Sequence, residues 1–399
     1  MTLQCSSAEE AAIIAQEYSE AALIRPAEHW LVVINASTVR NAERLRKTFG
    51  KTLLDMFKQA RFTTDVCEAV SVEACKEYIQ QINCAGYAGI MSMGGDGTLH
   101  TIVDALSSRG DTKAGNLALV AFPGGTGNAT SAEMGTADPV WSVFSLIKGY
   151  RKQCDALHCE LTISKDGIDH KQEVFTNMNV TWGLTADVDL KADAYRFLGY
   201  YRYYLSAILR TIFMKSYTAT VEYLTTDHPS EGNLDQSHGT SFKYSQLLAE
   251  SATGELIPTK ITRTGSFFNI MLPKVNHITF ETILSRKVTD FTPSDQLCFF
   301  LAPHSEVHSR WRARKSILKC FFNPTCYEAW FDNPNCTEII RARAVKVTFQ
   351  SRPGNKTHPL VAISGEGFRN VRSIHVESLP AALTFIHSPY TGVEIQGFS

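Results

Sequence analysis

The chain reads as an α/β domain with a parallel sheet, followed by an antiparallel β domain. Three observations predict this. Strand-like and helix-like runs alternate over residues 1–150, the pattern of a parallel sheet covered by helices. Two glycine-rich loops, Gly94-Gly95-Asp96-Gly97-Thr98 and Pro123-Gly124-Gly125-Thr126-Gly127-Asn128, each join an apolar run to the segment after it. After Tyr150 the rhythm changes to short strand-like runs separated by turns.

The first strand is expected over Leu31 to Asn35, and the first helix through Leu45, Phe49, Leu53 and Phe57. Tyr87 to Met93 forms the next apolar run and leads through the first glycine loop into Leu99, Ile102, Val103 and Leu106, an i, i+3, i+4, i+7 stripe. Leu117 to Phe122 reads as a buried parallel strand ending at the second loop. In the second half, strands are expected at Leu157 to Ser164, Glu173 to Val180, Thr218 to Leu224, Phe267 to Leu272, Leu297 to Ala302, Ala344 to Gln350 and Ala381 to His387. Between Thr225 and Lys260 the chain is polar and reads as a surface insertion. Two domains follow from this, at 1–150 and 151–399.

The glycine loops predict phosphate chemistry. Glycine lets a backbone approach an anion closely, and unpaired amides at a helix N-terminus favour negative charge. Asp96 stands apart, because phosphate repels a carboxylate that neither takes up a proton nor works through a metal ion. It is expected to act as a reagent, accepting the proton of an attacking hydroxyl. The bland alternative for either loop is a tight strand-to-helix turn.

Composition narrows the class. Hydrophobic residues are 44% and charged residues 20%, and the formal net charge of −1 draws neither nucleic acid nor anionic membrane to the whole molecule. No apolar run approaches the eighteen or so residues of a membrane span, and the N-terminus lacks the regions of a secretory signal, so a cytoplasmic protein is expected. The ten cysteines are scattered. Cys154 with Cys159, and Cys320, Cys326 and Cys336 near His304 and His308, lack zinc-knuckle spacing and read as reduced packing cysteines, with a metal cluster as the alternative.

A third segment, Gly183-Leu184-Thr185-Ala186-Asp187-Val188-Asp189-Leu190 followed by Tyr195-Arg196-Phe197-Leu198-Gly199-Tyr200-Tyr201-Arg202, completes the set. With both glycine loops, in this order and spacing, it resembles the sphingosine kinases, the long-chain-base branch of the diacylglycerol kinase-like lipid kinases. The resemblance implies an N-terminal α/β nucleotide-binding domain and a C-terminal β-sandwich that takes the lipid. It further implies ATP and Mg2+ as cofactors, a sphingoid-base substrate phosphorylated on its primary hydroxyl, and transient membrane contact, with the oligomeric state open between monomer and dimer. On this likeness Asp96 matches the catalytic base, and Gly94, Gly95 and Gly97 surround the acceptor end of the lipid. Asp189 matches the aspartate that contacts the amino-alcohol head. Gly125, Thr126, Gly127 and Asn128 match the ATP phosphate loop. Asn35, Gly365 and Glu366 match further nucleotide positions, and Arg196 and Arg202 match arginines on the phosphates.

Charge supports part of this independently. A carboxylate in a partly desolvated site would recognise the ammonium of a long-chain base, and arginine forks suit phosphate oxygens. Surface ion pairs among Asp187, Asp189, Arg196 and Arg202 are the alternative. The aromatic stretch from Tyr200 to Lys215 suits a helix lining a lipid tunnel or ordinary core packing equally well, and His308 to Lys315 either a membrane-touching or a solvated basic loop. One segment and two positions depart from the family pattern: the glycine-poor Ala36 to Arg40, Thr101 where glutamate is common, and Ser364 where aspartate is common. A kinase for diacylglycerol or ceramide, or a catalytically weakened lipid-binding protein of the same fold, are the other functions these residues allow.

Overall fold

The computed structural model describes residues 2–3, 27–36, 39–110, 115–125, 127–198, 201–225, 259–279, 282–283, 297–303, 311, 314–315, 337–350, 360–389 and 395–396. Two compact units divide the chain: Met1–Cys154 together with Leu383–Ser399, and Asp155–Ala382.

The first unit is built on parallel strands β1 (His29–Asn35), β2 (Thr63–Ala69), β3 (Gly89–Gly94) and β4 (Ala118–Pro123). Their order is β2, β1, β3, β4, and Thr384 and Phe385 pair in parallel with Ala118 and Leu119 on the far side of β4. Helices cover both faces, so residues at successive positions of β1, Trp30 through Ile34, are all essentially inaccessible. One face packs Trp30, Val32, Ile34, Met91, Met93, Val120 and Phe122 against Leu45, Phe49, Leu53 and Phe57. Those four come from α1 (Val39–Thr48), a π turn over Phe49–Leu53 and a last α stretch over Leu54–Gln59.

Helix α2 (Val72–Gln81) begins at Ser71, whose hydroxyl accepts the Ala74 amide, and its last turn is capped by Arg109, whose guanidinium donates to the carbonyls of Ile79 and Ile82 at 2.8 and 2.9 Å. It is tied to α3 (Asp96–Ser107) by Lys76 and the buried Asp104, 2.5 Å apart. Two further helices follow β4, the short α4 (Ala129–Glu133) and α5 (Pro139–Lys148). Asp138 caps α5 through the amides of Val140 and Trp141, with proline at the first helical position.

The second unit is antiparallel. Its strands are β5 (Arg151–Lys165, from Asp155 onward), β6 (Ile168–Thr176), β7 (Asn179–Gly183), β8 (Tyr217–Thr225), β9 (Thr259–Pro273), β10 (Leu297–Pro303), β11 (Glu338–Ala342), β12 (Ala344–Phe349), β13 (Val361–Ile363), β14 (Glu366–Phe368) and β15 (Val371–Ile386, as far as Ala382). The main sheet runs β14, β13, β7, β9, β8, β12, β15; β10 and β11 branch from β9, and the β5–β6 hairpin branches from β15. Asp166 and Gly167, both at positive φ, make the tight turn of that hairpin. Residues from these strands meet in one core, among them Leu157, Val174, Trp182, Val221, Ile270, Phe299, Val345, Val361 and Ile374. Two helices follow β7: α6 (Leu184–Ala192) and α7 (Tyr201–Ile212), joined where the Ser206 hydroxyl donates to the Val188 carbonyl at 2.7 Å.

Several expected bounds shift. The run Glu173 to Val180 is two strands, because the Met178 amide turns back onto the Thr176 hydroxyl. Ala381 to His387 is the end of a strand that begins at Val371, and Leu383–Ser399 belongs to the first unit. The segment 226–258 lies outside the described residues, as do Cys320, Cys326, Cys336, His304 and His308. Among the described residues no helix is long and apolar enough to cross a membrane.

Among the described residues Cys67 and Cys75 are free thiols, and burial pushes Cys75 up to about 12. Thiolate, the nucleophile, is therefore scarce at Cys75 at pH 8. Iodoacetamide added to the native protein at pH 8 is expected to leave Cys75 unmodified by peptide mass mapping. Labelling as fast as in urea would show that α2 opens freely.

Candidate active site

The strand order reverses between β1 and β3, and in an open parallel sheet a crevice forms at the carboxyl ends of strands where this happens. Asn35 ends β1 and Gly94 ends β3. Their loops are joined there by the Asn35 side chain, whose Nδ2 donates to Thr98 Oγ1 at 2.9 Å. Pro123 ends β4, so both glycine loops emerge on one side of the sheet.

The loops touch backbone to backbone. The Gly124 amide donates to the Gly94 carbonyl at 2.9 Å, and a Cβ on Gly125 would lie 2.3 Å from the Gly95 Cα. Only glycine permits this approach. Asn128, in the left-handed region at φ 53°, closes the second loop on itself: its side chain accepts the Gly125 amide at 2.8 Å and donates to the Gly125 carbonyl at 3.0 Å.

Asp96 bridges the two loops. Its Oδ2 accepts the Ala129 amide and its Oδ1 the Thr130 amide, both at 3.0 Å. The first amides of α4, expected to face phosphate, are thus taken by the aspartate of the other loop, which acts as the anion at that helix end. Gly127 lies against the same carboxylate, where an added Cβ would be 3.1 Å from Oδ2. Each carboxylate oxygen has further acceptor capacity beyond the one amide. Gly97, next in the chain, is exposed.

Two residues that sequence reasoning did not assign also build this corner. Thr98 fills the space under Gly94, where a Cβ would stand 2.4 Å from its hydroxyl. Arg44 on α1 donates to the Gly124 carbonyl at 2.5 Å. Thr98 was visible as the last letter of its loop motif, whereas nothing in the sequence singled out Arg44. Thr101 is buried, its hydroxyl donating to the Gly97 carbonyl at 3.0 Å. Thr126 lies outside the described residues.

In the second unit, Asp189 is half-buried on α6. The turn between β13 and β14 packs on this helix: a Cβ on Gly365 would be 3.7 Å from Asp189 Oδ2, and one on Gly367 would be 3.0 Å from the Leu190 side chain. Ser364 and Gly365 make the turn at φ 47° and 84°, with the Ser364 hydroxyl paired to Thr176 Oγ1 and its amide donating to the Asn179 carbonyl at 3.0 Å. Glu366 is exposed beside them. Asp189, Gly365 and Glu366 therefore share one corner of this unit.

The surface ion pairs considered for this segment are not what Asp187 makes. It is buried, pairs with Lys191 one helical turn on, and accepts the Tyr217 hydroxyl at 2.7 Å. Arg202 lies over the Tyr203 ring, 4.6 Å from its centroid, and donates to the Tyr203 hydroxyl at 2.7 Å. Arg196 falls in the 3-10 turn Asp193–Leu198, and its side chain lies outside the described residues. The aromatic helix is buried at Ser206, Ala207 and Thr211, whereas Tyr201 and the flanking Phe197 and Phe213 are exposed. In the stretch His308 to Lys315, Trp311 is exposed and Lys315 sits 5.7 Å from its ring centroid.

Residues 29–159 match the family model described as the diacylglycerol kinase catalytic domain. The chain is similar to sphingoid long chain base kinase 4 of Schizosaccharomyces pombe, at 28% identity over 162 residues, covering 39% of this chain and 34% of that protein. It is also similar to sphingosine kinase 2 of Arabidopsis thaliana, at 26% identity over 187 residues, covering 45% of this chain and 37% of that protein. The chain thus spans about a third of the length of these curated relatives. Two solved structures from Bacillus anthracis str. Sterne share the fold over 91% of this chain and 97% of their own, one with TM-score 0.60 at 15% identity. The other, described as a diacylglycerol kinase, has TM-score 0.55 at 13% identity. The resemblance to sphingosine kinases carried by the sequence blocks holds, and so does the fold class of parallel α/β plus antiparallel β.

The loop contact makes a sharp contrast between two glycines. Gly125→Ala drives a methyl into backbone and is expected to cost about 1–3 kcal/mol. Gly97→Ala meets nothing within 4 Å inside α3 and is expected to stabilise by roughly 0.5–1 kcal/mol. Urea unfolding of both variants checks this; equal midpoints would mean that the loops do not touch as described.

Proposed function

We propose that the protein is an ATP-dependent lipid kinase that transfers the γ-phosphoryl group to the primary hydroxyl of a sphingoid base. The observation that carries this reading is the Asp96 carboxylate, held between two glycine loops at the switch point of a parallel sheet. Similarity to proteins named sphingosine kinase and sphingoid long chain base kinase supports the substrate class.

In this mechanism the lipid hydroxyl gives its proton to an outward lone pair of Asp96 as its oxygen bonds the γ-phosphorus. The bond from that phosphorus to the β–γ bridging oxygen breaks, and ADP leaves. Two amide bonds fix the carboxylate so that it need not reorganise on reaction. Gly97, with open space where a Cβ would stand, would leave room for the acceptor end, while Gly94 and Gly95 let the loop pack on Thr98 and Gly125. Gly125, Thr126, Gly127, Asn128 and Asn35 would lie along the phosphates, with Arg196 and Arg202 supplying positive charge. Asp189 would read the ammonium group, a charge that diacylglycerol and ceramide lack. Gly365 and Glu366, on the turn beside it, would meet the nucleotide side.

Magnesium takes oxygen ligands and is held through one or two carboxylates plus phosphate. The exposed carboxylate of Glu366 has the donor type that fits, and the bound ion would neutralise charge on the triphosphate. Exposed Phe197, Tyr201, Ile212 and Phe213 support peripheral contact with a membrane while lipid enters.

Asp96→Asn is expected to lower turnover by two orders of magnitude or more, on the order of the contribution of a positioned base. Because Asp96 also accepts two amides, the same variant should lose roughly 1 kcal/mol of stability, read by thermal melting. A folded variant with near-normal turnover would remove the base assignment.

A panel of sphingosine, dihydrosphingosine, phytosphingosine, ceramide and diacylglycerol with labelled ATP tests the substrate class. Sphingoid bases should be preferred, and Asp189→Ala should reduce their use selectively. Preference for diacylglycerol, unchanged by Asp189→Ala, would reassign the lipid, and saturable lipid binding with no product would exclude a kinase.

A further inference from the structure

The β5–β6 hairpin carries a group of side chains that the proposed kinase reaction does not use. Glu160 and Glu173 stand directly opposite each other across the antiparallel pair, and His158 and Phe175 form the next opposed pair on the same face. Like charges in directly opposed positions destabilise a sheet, and a cation between two facing carboxylates would relieve that repulsion. His158 supplies a donor rather than a fixed charge. Its ring is stacked on Phe175, centroids 4.8 Å apart, and its Nε2 is covered, has no hydrogen-bond partner among the described residues and lies 3.6 Å from Glu173 Oε2.

From these contacts we infer that His158, Glu160 and Glu173 form a binding site for a first-row divalent metal ion of the zinc type. One ligand atom from each lies within 4.8 Å of the other two. Bonds of about 2.0–2.2 Å from imidazole nitrogen and carboxylate oxygen would close that triangle with small side-chain rotations of the two exposed glutamates. One imidazole with two carboxylates suits zinc or a neighbouring transition ion better than magnesium or calcium, which take oxygen throughout. Three protein ligands leave a fourth position for water.

The surroundings suit a cation held by a rigid platform. The site is on regular strands with the Asp166-Gly167 turn below it, and Phe175 fixes the imidazole plane. On β15, His375 lies within electrostatic reach of Glu160 and His158 and has its Nε2 3.4 Å from Glu377 Oε1, and Lys346 on β12 also acts on it. Binding would tie β5 to β6 and stiffen the hairpin that branches from the sheet of the second unit.

The test is zinc titration of the full chain after chelator treatment, by calorimetry, comparing wild type with His158→Gln and Glu173→Gln. Both positions are on the outer face of the hairpin, and Glu173 is 64% exposed, so the variants are expected to fold, which circular dichroism checks. Each should lose one equivalent of zinc or bind it about tenfold or more weakly. Cobalt at this site should give weak visible bands without the thiolate charge-transfer band of a cysteine site, and these bands should vanish in both variants.

Equal stoichiometry and affinity in all three proteins would overturn the proposal. So would a protein that binds no zinc at pH 7.5. A further readout is independent of metal: apo Glu173→Gln should melt above the apo wild type, because one of two opposed charges is gone, and the difference should shrink or reverse with zinc. A variant that melts below wild type without metal would show that the carboxylates do not oppose each other.

Discussion

The carboxylate of Asp96 on the amides of Ala129 and Thr130 is the contact on which the candidate site rests. It comes from the loop after β3 and ends on the helix after β4, so one side chain sets the separation of two crossover loops. A charged acceptor with two backbone donors is among the stronger hydrogen-bond arrangements available. The glycines make it reachable: Gly95 and Gly125 meet without a Cβ between them, and Gly127 leaves the carboxylate uncovered on its side. A side chain on Gly125 would push the loops apart before the bond could form.

That contact changes what the second loop is. A glycine loop ahead of a helix ordinarily offers its first amides to an incoming anion. Here those amides already hold one, and Asn128 closes the loop on Gly125. The corner is therefore ordered by the protein's own groups, and the Asp96 carboxylate is fixed where it stands. Preorganisation of this kind is what phosphoryl transfer asks of a protein, since the chemistry itself makes few covalent demands.

The second unit shows how a departure from a family pattern can be accommodated. Ser364 sits where an aspartate is common, yet it is buried, at positive φ, with its hydroxyl on Thr176 and its amide on Asn179. A carboxylate placed there would lose water and face the Thr176 hydroxyl, a costly exchange. Serine satisfies the turn locally and keeps Gly365 and Glu366 against the helix that carries Asp189. Thr101 is similar: it is buried under the first loop and back-bonds to Gly97, so its polar atom is used within the helix.

Periodicity and loop motifs determined much by themselves. Continuous apolar runs at Leu31 to Asn35 and Leu117 to Phe122 announced buried parallel strands, and Leu45, Phe49, Leu53 and Phe57 one packed helical face, because burial on both sides or along one stripe leaves a one-dimensional trace. The strand Thr63–Ala69 left none, since as an edge strand half exposed to solvent it needs no apolar run. The two motifs announced glycine-limited loops with an aspartate inside the first. Only the tertiary structure decided that this aspartate would bond the other loop, that Arg44 would reach Gly124, and that Glu160 and Glu173 would face each other. These depend on register and on contacts between residues distant in the chain. No local spacing encodes which backbone amide a side chain will find once strands have paired.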